Sequence, residues 1–190
     1  MGRRQKVRRR RRLFVGCEGE SEQGYAALLQ RFSDEQGGAV HAESKVVPRA
    51  GDPLAIVERA IEMAAQGERG SKPAYSVRFL MLDTDLLGNN PGRDAQIDGL
   101  VERHNFVLLR QNCCFEAFLL RHFVGHANDE PPTAAIALTR LQAVWPQYKK
   151  GFPAQELRKQ IALEDVQRAA QGPRNADFSS FLDAMGLQPH

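Results

Sequence analysis

The feature that most constrains the fold of this chain is a short apolar run that stops at two carboxylates. Residues 76–85 read SVRFLMLDTD, in which an almost wholly apolar segment is followed by Asp83 and Asp85. A run of this length between polar segments predicts a strand buried on both faces of a parallel sheet. Open α/β sheets bind their ligands at the carboxyl ends of such strands. The stretch therefore predicts an α/β fold with a polar site where this strand ends.

The acidic pair itself allows two interpretations. Side chains alternate along a strand, so Asp83 and Asp85 would point to the same side if the chain stayed extended. Two neighbouring carboxylates repel each other, and a divalent cation between them relieves that repulsion. Asp is also common in turns, so the pair alone is equally compatible with an Asp-rich turn after the strand.

A second apolar run near the start of the chain also ends at an acid. Residues 13–17 read LFVGC and are followed by Glu18 and Gly19, after which apolar residues recur at helical spacing. This is the strand, turn and helix of a βα unit. The predicted elements of the whole chain follow the order βαβαβαβ and then further helices. That order predicts a mostly parallel four-stranded sheet flanked by helices, with a C-terminal helical extension.

If the first and third strands are neighbours, three carboxylates meet at one edge of the sheet. Glu18, Asp83 and Asp85 would then form an oxygen-rich site suited to Mg²⁺ or Mn²⁺, with Glu22 close enough to extend it. Such a site can clamp a phosphodiester and activate water. One of the acids could instead act as a general acid or base.

The net charge of +3 conceals a strongly basic start. Of 26 basic residues, eight lie in residues 1–12, which leaves 18 against 23 acidic residues in the rest of the chain. We expect a disordered tail over residues 1–12 that binds a nucleic-acid backbone. The candidate contacts within it are Arg8, Arg9, Arg10, Arg11 and Arg12. A tail that only solubilises the protein is the alternative.

Composition also bears on the compartment. We expect no membrane association, since no segment has the roughly 18 to 20 apolar residues that a membrane helix needs. The chain has three cysteines, two of them adjacent, and no CxxC pair, which predicts a reducing, cytoplasmic setting.

Three motifs together resemble a known family. Glu18-Gly19 after the first strand and Asp83-Thr84-Asp85 after the third resemble the Toprim domain of primases, topoisomerases and OLD-type nucleases. Residues 17–22, CEGESE, resemble the CEGxTE start of the RloB family of phage-defence proteins, and residues 112–123, NCCFEAFLLRHF, resemble its NPCFExWLLxHF segment. The chain departs from the latter at Cys113, where the family has Pro, and at Ala117-Phe118.

The resemblance, which covers about residues 11–125, implies a Toprim-like, Rossmann-like fold and a metal-dependent nuclease in phage defence. It implies Glu18, Asp83 and Asp85 as metal ligands, with Glu22 nearby. Glu116 and His122 would be auxiliary site residues. Its substrate would be RNA, with tRNA among the candidates, or DNA, and an ATPase is an implied partner. The alternative is a non-catalytic Toprim-like module that binds nucleic acid or regulates such an ATPase.

The expected organisation is a Toprim-like domain over residues 13–126 and a helical extension over residues 127–190 packed on it. Within the domain, Glu116 either belongs to the site or pairs with Arg110 or Arg121. His122 is either a hydrogen-bonded structural residue or, with His126, part of a zinc site. Arg78 and Arg110 either steer phosphate or are ordinary solvated side chains.

Overall fold

The computed structural model describes residues 10–48, 51–172 and 176–188. Within these ranges the strands are β1 (Arg11–Cys17), β2 (Val40–Val46), β3 (Val77–Asp83) and β4 (Phe106–Gln111). The helices are α1 (Glu20–Glu35), α2 (Pro53–Gly67), α3 (Pro91–Arg103), α4 (Phe115–Leu120), α5 (Ala134–Val144), α6 (Ala154–Leu157), α7 (Leu163–Ala170) and α8 (Ala176–Met185). No helix in the described part of the chain is both long and apolar enough to cross a membrane.

The strands form one all-parallel sheet in the order β2-β1-β3-β4. The predicted α/β class and four-stranded parallel sheet are confirmed, and the arrangement is consistent with a Rossmann-like, Toprim-type fold. The chain runs outward from β1 to β2 and then crosses to the other side of β1 to form β3 and β4. The topological switch point therefore lies between β1 and β3, which is where open α/β sheets place a binding crevice.

Alternation along the strands divides the core into two layers, one on each face of the sheet. One layer packs against α2 and α3 and includes Phe14, Leu80, Leu82, Ile97 and Leu108. The other packs against α1 and the helices after residue 126 and includes Leu13, Val15, Phe79, Met81, Leu109 and Phe181. Both faces of the sheet are thus covered, which explains why β3 is a nearly continuous apolar run.

The C-terminal helices complete this second layer. The rings of Phe79 in β3 and Phe181 in α8 lie 4.6 Å apart, and Phe178 of α8 packs edge-on against Phe118 of α4. One hydrophobic cluster therefore runs from the sheet into residues after 126. The predicted division between residues 13–126 and residues 127–190 does not separate two hydrophobic cores.

The structure corrects the boundary of the predicted basic tail. β1 begins at Arg11 and pairs with β2 from its first residue, where Arg11 aligns with Val40. Arg11 and Arg12 therefore belong to the sheet, and the prediction of a disordered tail is wrong for these two residues. Residues 1–9 lie outside the described part of the chain.

Candidate active site

The pairing of β1 with β3 brings the first and third acidic motifs together. Cys17 aligns with Met81, so the residues that follow each strand reach the same edge of the sheet. There the backbone N–H of Asp83 donates to Oε2 of Glu18 at 3.1 Å. The expected adjacency of the two strand ends is confirmed by this register.

Glu22, in the first turn of α1, lies near the edge of the sheet where β1 and β3 end. The helix begins after Gly19, which is extended, and Oε2 of Glu22 accepts from the Gly19 N–H at 3.0 Å. This bond satisfies one of the N–H groups that a helix start leaves without a partner. Burial raises the pKa of Glu22, and the charges of Glu18 and Glu116 raise it further. Glu22 thus both caps α1 and adds negative charge to the site.

Glu116 is almost fully buried in the first turn of α4 and has partners that its sequence context did not predict. Tyr148 donates its hydroxyl to Oε1 of Glu116 at 3.2 Å, and Nζ of Lys150 lies 3.3 Å from the same oxygen. The expected alternative partners were Arg110 and Arg121. Arg110 pairs instead with Asp98 and Asp177, and Arg121 Nη2 donates to the carbonyl oxygen of Asn112.

Asp83 lies close enough to the other acids of the site to be affected by their charges. Burial raises its pKa, and the charges of Glu18, Glu22, Asp85 and Glu116 raise it further, to about 8. Its Oδ1 is buried and has no hydrogen-bond partner among the residues that the structure describes. A buried carboxylate oxygen that nothing satisfies is costly, and a cation bound beside it would remove that cost.

Asp85 occupies a different position from the one expected for an extended chain. β3 ends at Asp83, and the N–H of Thr84 donates to the carbonyl oxygens of Gln111 and Cys113 at 3.2 and 3.1 Å. The chain then turns, which leaves Asp85 exposed at the mouth of the site. Its charge still raises the pKa of Glu18, after the larger effect of burial.

The donor chemistry of the site fits a hard divalent cation, while its geometry does not form a closed cage. All five acids offer only oxygen, which suits Mg²⁺ or Mn²⁺. Among the residues that the structure describes, no three His, Cys, Asp or Glu side chains are grouped so that they could hold a metal ion. The candidate position for an ion is Oδ1 of Asp83, which has no hydrogen-bond partner among the described residues and belongs to the residue whose backbone N–H donates to Glu18.

The two histidines do not form a metal site in the described part of the chain. His122 is buried, and its Nε2 shares a hydrogen bond of 2.7 Å with the hydroxyl of Tyr25. Its Nδ1 lies 3.2 Å from the carbonyl oxygens of Phe118 and Leu119. Burial lowers the pKa of His122 to about 4. His126 pairs with Asp129 at 2.9 Å. The structural interpretation of His122 therefore applies, and the zinc interpretation does not.

Both arginines considered for phosphate steering form ion pairs with acids outside the carboxylate site. Arg78 lies near the start of β3, at the edge of the sheet opposite Asp83, and pairs with Glu68 at 2.7 Å. Arg110 is half-exposed and pairs with Asp98 at 3.0 Å.

The segment over residues 146–152, between α5 and α6, crosses the start of α1 and is called the strap below. The N–H of Gly151 donates to Oγ of Ser21 at 2.8 Å. Gly24 lies so close to the strap that a Cβ atom there would be 2.2 Å from the carbonyl oxygen of Phe152. The strap thereby holds Tyr148 and Lys150 over Glu116. Sequence reasoning found no chemistry in this region, although two lysines beside a tyrosine in a segment with Pro and Gly breaks were a usable signal.

The arginines of the predicted nucleic-acid contact are not equivalent. Arg8 and Arg9 lie outside the described residues. Arg10 forms an exposed ion pair with Asp34 at 2.7 Å. Arg11 donates to a backbone carbonyl of α8 at 3.1 Å.

Arg12 differs from the other arginines of the predicted nucleic-acid contact, because its side chain is packed within the fold. Its side chain is only 10% exposed and lies 2.7 Å from Oε2 of Glu43. Its guanidinium also stacks over the ring of Tyr75, 4.2 Å from the centroid. Although burial opposes it, hydrogen bonds from Lys45, Arg12 and Tyr75 lower the pKa of Glu43 to about 2. The side chain of Arg12 is therefore engaged in contacts within the fold.

The raised pKa of Asp83 predicts a pH dependence of stability without metal. Between pH 3.8 and about 8 the folded protein binds this proton more tightly than the unfolded chain, so stability falls as pH rises towards 8. His122 acts in the opposite direction below its ordinary pKa of 6.5. We therefore expect the free energy of unfolding in EDTA to fall between about pH 6.5 and 8, by up to ~1.4 kcal/mol per pH unit.

Urea unfolding at several pH values, compared between wild type and Asp83→Asn, measures this effect. As pH rises, the free energy of unfolding of Asp83→Asn should increase relative to that of wild type. The same change outside the site, Asp98→Asn, should leave the slope unchanged. Parallel curves for wild type and Asp83→Asn would contradict the electrostatic description of the site.

Comparison with known families places the chain in one of them. Comparisons with curated proteins and with solved structures find no match. The family model described as RloB-like protein matches residues 13–177, which is most of the chain. The match takes in both acidic motifs, Glu116 and the strap. The chain therefore belongs to the RloB-like protein family.

Proposed function

We propose that this protein is a metal-dependent nuclease of the Toprim type that acts on phosphodiester bonds of RNA, with tRNA among the candidates, or of DNA. The observation that carries the proposal is the buried, unpartnered Oδ1 of Asp83 among four other acids at the topological switch point. The proposal includes a role in phage defence, which is what the resemblance to the RloB family implies. Strongly perturbed carboxylates in a crevice are typical of functional sites.

In this proposal Glu18 and Asp83 hold Mg²⁺ or Mn²⁺ at the end of the sheet, and Asp85 approaches from the solvent side. Mg²⁺ in proteins is bound through one or two carboxylates together with water and substrate phosphate, so a complete protein cage is not required. When bound, such an ion polarises a phosphoryl oxygen and lowers the pKa of water. Glu22 keeps the start of α1 in place through its bond to Gly19.

The remaining acid has a supporting role. Glu116 is buried, and the hydroxyl of Tyr148 donates to its carboxylate. Its negative charge raises the pKa of Asp83, so it strengthens the attraction of the site for a cation. We place Glu116 as a positioning residue and not as a direct ligand.

The second candidate function is a non-catalytic module that binds nucleic acid or regulates a partner ATPase. The observation that favours it is the lack, among the described residues, of a ready-made group of three metal-binding side chains. This function predicts a stable complex with an ATPase or a nucleic acid that survives substitution of Asp83. Co-purification of wild type and Asp83→Asn with the same partner would support it.

The experiment that separates the two functions is a cleavage assay on labelled tRNA, single-stranded RNA, and single- and double-stranded DNA. Each substrate is incubated with the purified protein in Mg²⁺, in Mn²⁺ and in EDTA. The nuclease proposal expects at least one class to be cut with metal and none in EDTA. If no substrate is cut by a folded protein that binds the ion, the non-catalytic function takes its place.

A further inference from the structure

The carboxylate site has a cation at its rim, and it comes from the strap. Nζ of Lys150 lies 3.3 Å from Oε1 of Glu116. Arg12, Arg78 and Arg110, by contrast, form their ion pairs with acids outside the set of Glu18, Glu22, Asp83, Asp85 and Glu116. Lys150 therefore brings a positive charge to one of these five acids.

The exposure of this pair is very uneven. The side chain of Glu116 is 3% exposed, whereas that of Lys150 is 63% exposed. An ammonium group has three donors, so a contact with one carboxylate oxygen leaves others directed at solvent. A cation with this much exposure also contributes little to stability through its ion pair. Glu116 keeps the hydroxyl of Tyr148 as a buried partner in any case.

A substrate phosphate that approaches this site needs such a cation. A phosphodiester is negative, and the acids around Asp83 would repel it wherever a bound divalent ion does not neutralise them. Lysine serves as a point-charge partner for phosphate in many sites. The contacts of Gly151 with Ser21 and of Tyr148 with Glu116 hold the strap on both sides of Lys150. The ammonium group is therefore positioned before any substrate arrives.

We propose that Lys150 is a substrate-binding residue whose ammonium group contacts a phosphate of the nucleic acid at the carboxylate site. The inference rests on the proposed nuclease function and deepens it, because it makes the C-terminal half of the chain a part of the active site. It also assigns a role to the strap, which carries the residue across the start of α1. Tyr148 is then a positioning residue that holds Glu116 and not a contact to substrate.

The test compares Lys150→Ala with Lys149→Ala, which removes the same charge from the adjacent exposed position. The first readout is binding, in Ca²⁺ and at several salt concentrations, of a labelled phosphorothioate DNA and a labelled 2′-O-methyl RNA. The second is single-turnover cleavage in Mg²⁺ of the substrate class found above. Lys150→Arg, which keeps the charge, and Lys150→Met, which keeps most of the stem, are included with a thermal melt of each variant.

We expect Lys150→Ala and Lys150→Met to slow cleavage about 10²-fold and to lower the slope of log affinity against log salt by about one. Lys149→Ala should cleave within about threefold of wild type, and Lys150→Arg should recover most of the lost activity. If wild type is active and the Lys150 and Lys149 variants behave alike, the inference fails while the proposed function stands. If Lys150→Arg is as defective as Lys150→Ala, a charge contact to phosphate is also ruled out. If wild type neither binds these two probes nor cuts any of the four substrate classes tested above, both proposals fail.

Discussion

Asp83→Asn is expected to reduce metal-dependent cleavage by about 10³-fold or more while the protein remains folded. Asn keeps the shape of the half-buried side chain, but it removes the negative charge that would hold a cation beside Glu18. The burial of Asp83 among four other acids makes its ionised form costly in the absence of metal. We therefore expect Asp83→Asn to be at least as stable as wild type in EDTA. Initial cleavage rates and urea unfolding curves measure the two parts of this prediction.

The matched control is Asp98→Asn, which makes the same chemical change on the exposed face of α3. Asp98 pairs with Arg110 on the protein surface, so its substitution should leave cleavage within about twofold and stability within ~0.5 kcal/mol. Cleavage by Asp83→Asn at the wild-type rate would remove Asp83 from the catalytic site. A large loss of stability in Asp83→Asn would show that the lost activity reflects unfolding.

Gly24→Ala is expected to destabilise the protein by about 2–4 kcal/mol and to lower cleavage with it. An added Cβ would lie 2.2 Å from the carbonyl oxygen of Phe152 and 3.4 Å from Cα of Pro153, both of which are backbone atoms. No side-chain rotation can relieve this contact, so α1 and the strap have to separate. That separation would also move Tyr148 and Lys150 away from Glu116. Urea unfolding and the single-turnover rate test the two consequences.

The chain offers a matched control in Gly99, which lies within α3. Apart from its chain neighbours and the backbone of its own helix, no heavy atom of the described residues lies within 4 Å of a Cβ added at this position, and its φ is not in the left-handed region. Gly99→Ala should therefore stabilise the protein by about 0.5–1 kcal/mol through helix propensity. Equal, small effects of Gly24→Ala and Gly99→Ala on stability would contradict the close packing of the strap on α1.

The parts of the fold that follow from local pattern could be predicted from the sequence. The apolar run of β3 is continuous because both faces of the sheet are covered, and this pattern predicts its burial. The acids after β1 and β3 mark strand ends, and a parallel order places those ends at one edge of the sheet. The adjacency of Glu18 and Asp83 also needs β1 to pair directly with β3, which the sequence analysis could state only as a condition and the structure shows.

The sequence did not predict the contacts between segments that lie far apart in the chain. Tyr148 is 32 residues from Glu116, and their contact depends on how the strap crosses α1, which no local period encodes. Arg12 is part of an unbroken basic run, and only its pairing with Glu43 and Tyr75 distinguishes it from its neighbours. Asp85 leaves the extended path because Thr84 bonds to the end of β4, a contact that depends on the sheet order.

The central claim is that the acids at the switch point bind a divalent cation, and calorimetric titration with Mn²⁺ tests it most directly. Wild type, Asp83→Asn and Asp98→Asn are titrated in the same buffer after treatment with EDTA and its removal. We expect wild type and Asp98→Asn to bind the ion alike, and Asp83→Asn to bind it at least about tenfold more weakly. Equal Mn²⁺ affinity in wild type and Asp83→Asn, or no binding by folded wild type, would contradict the claim.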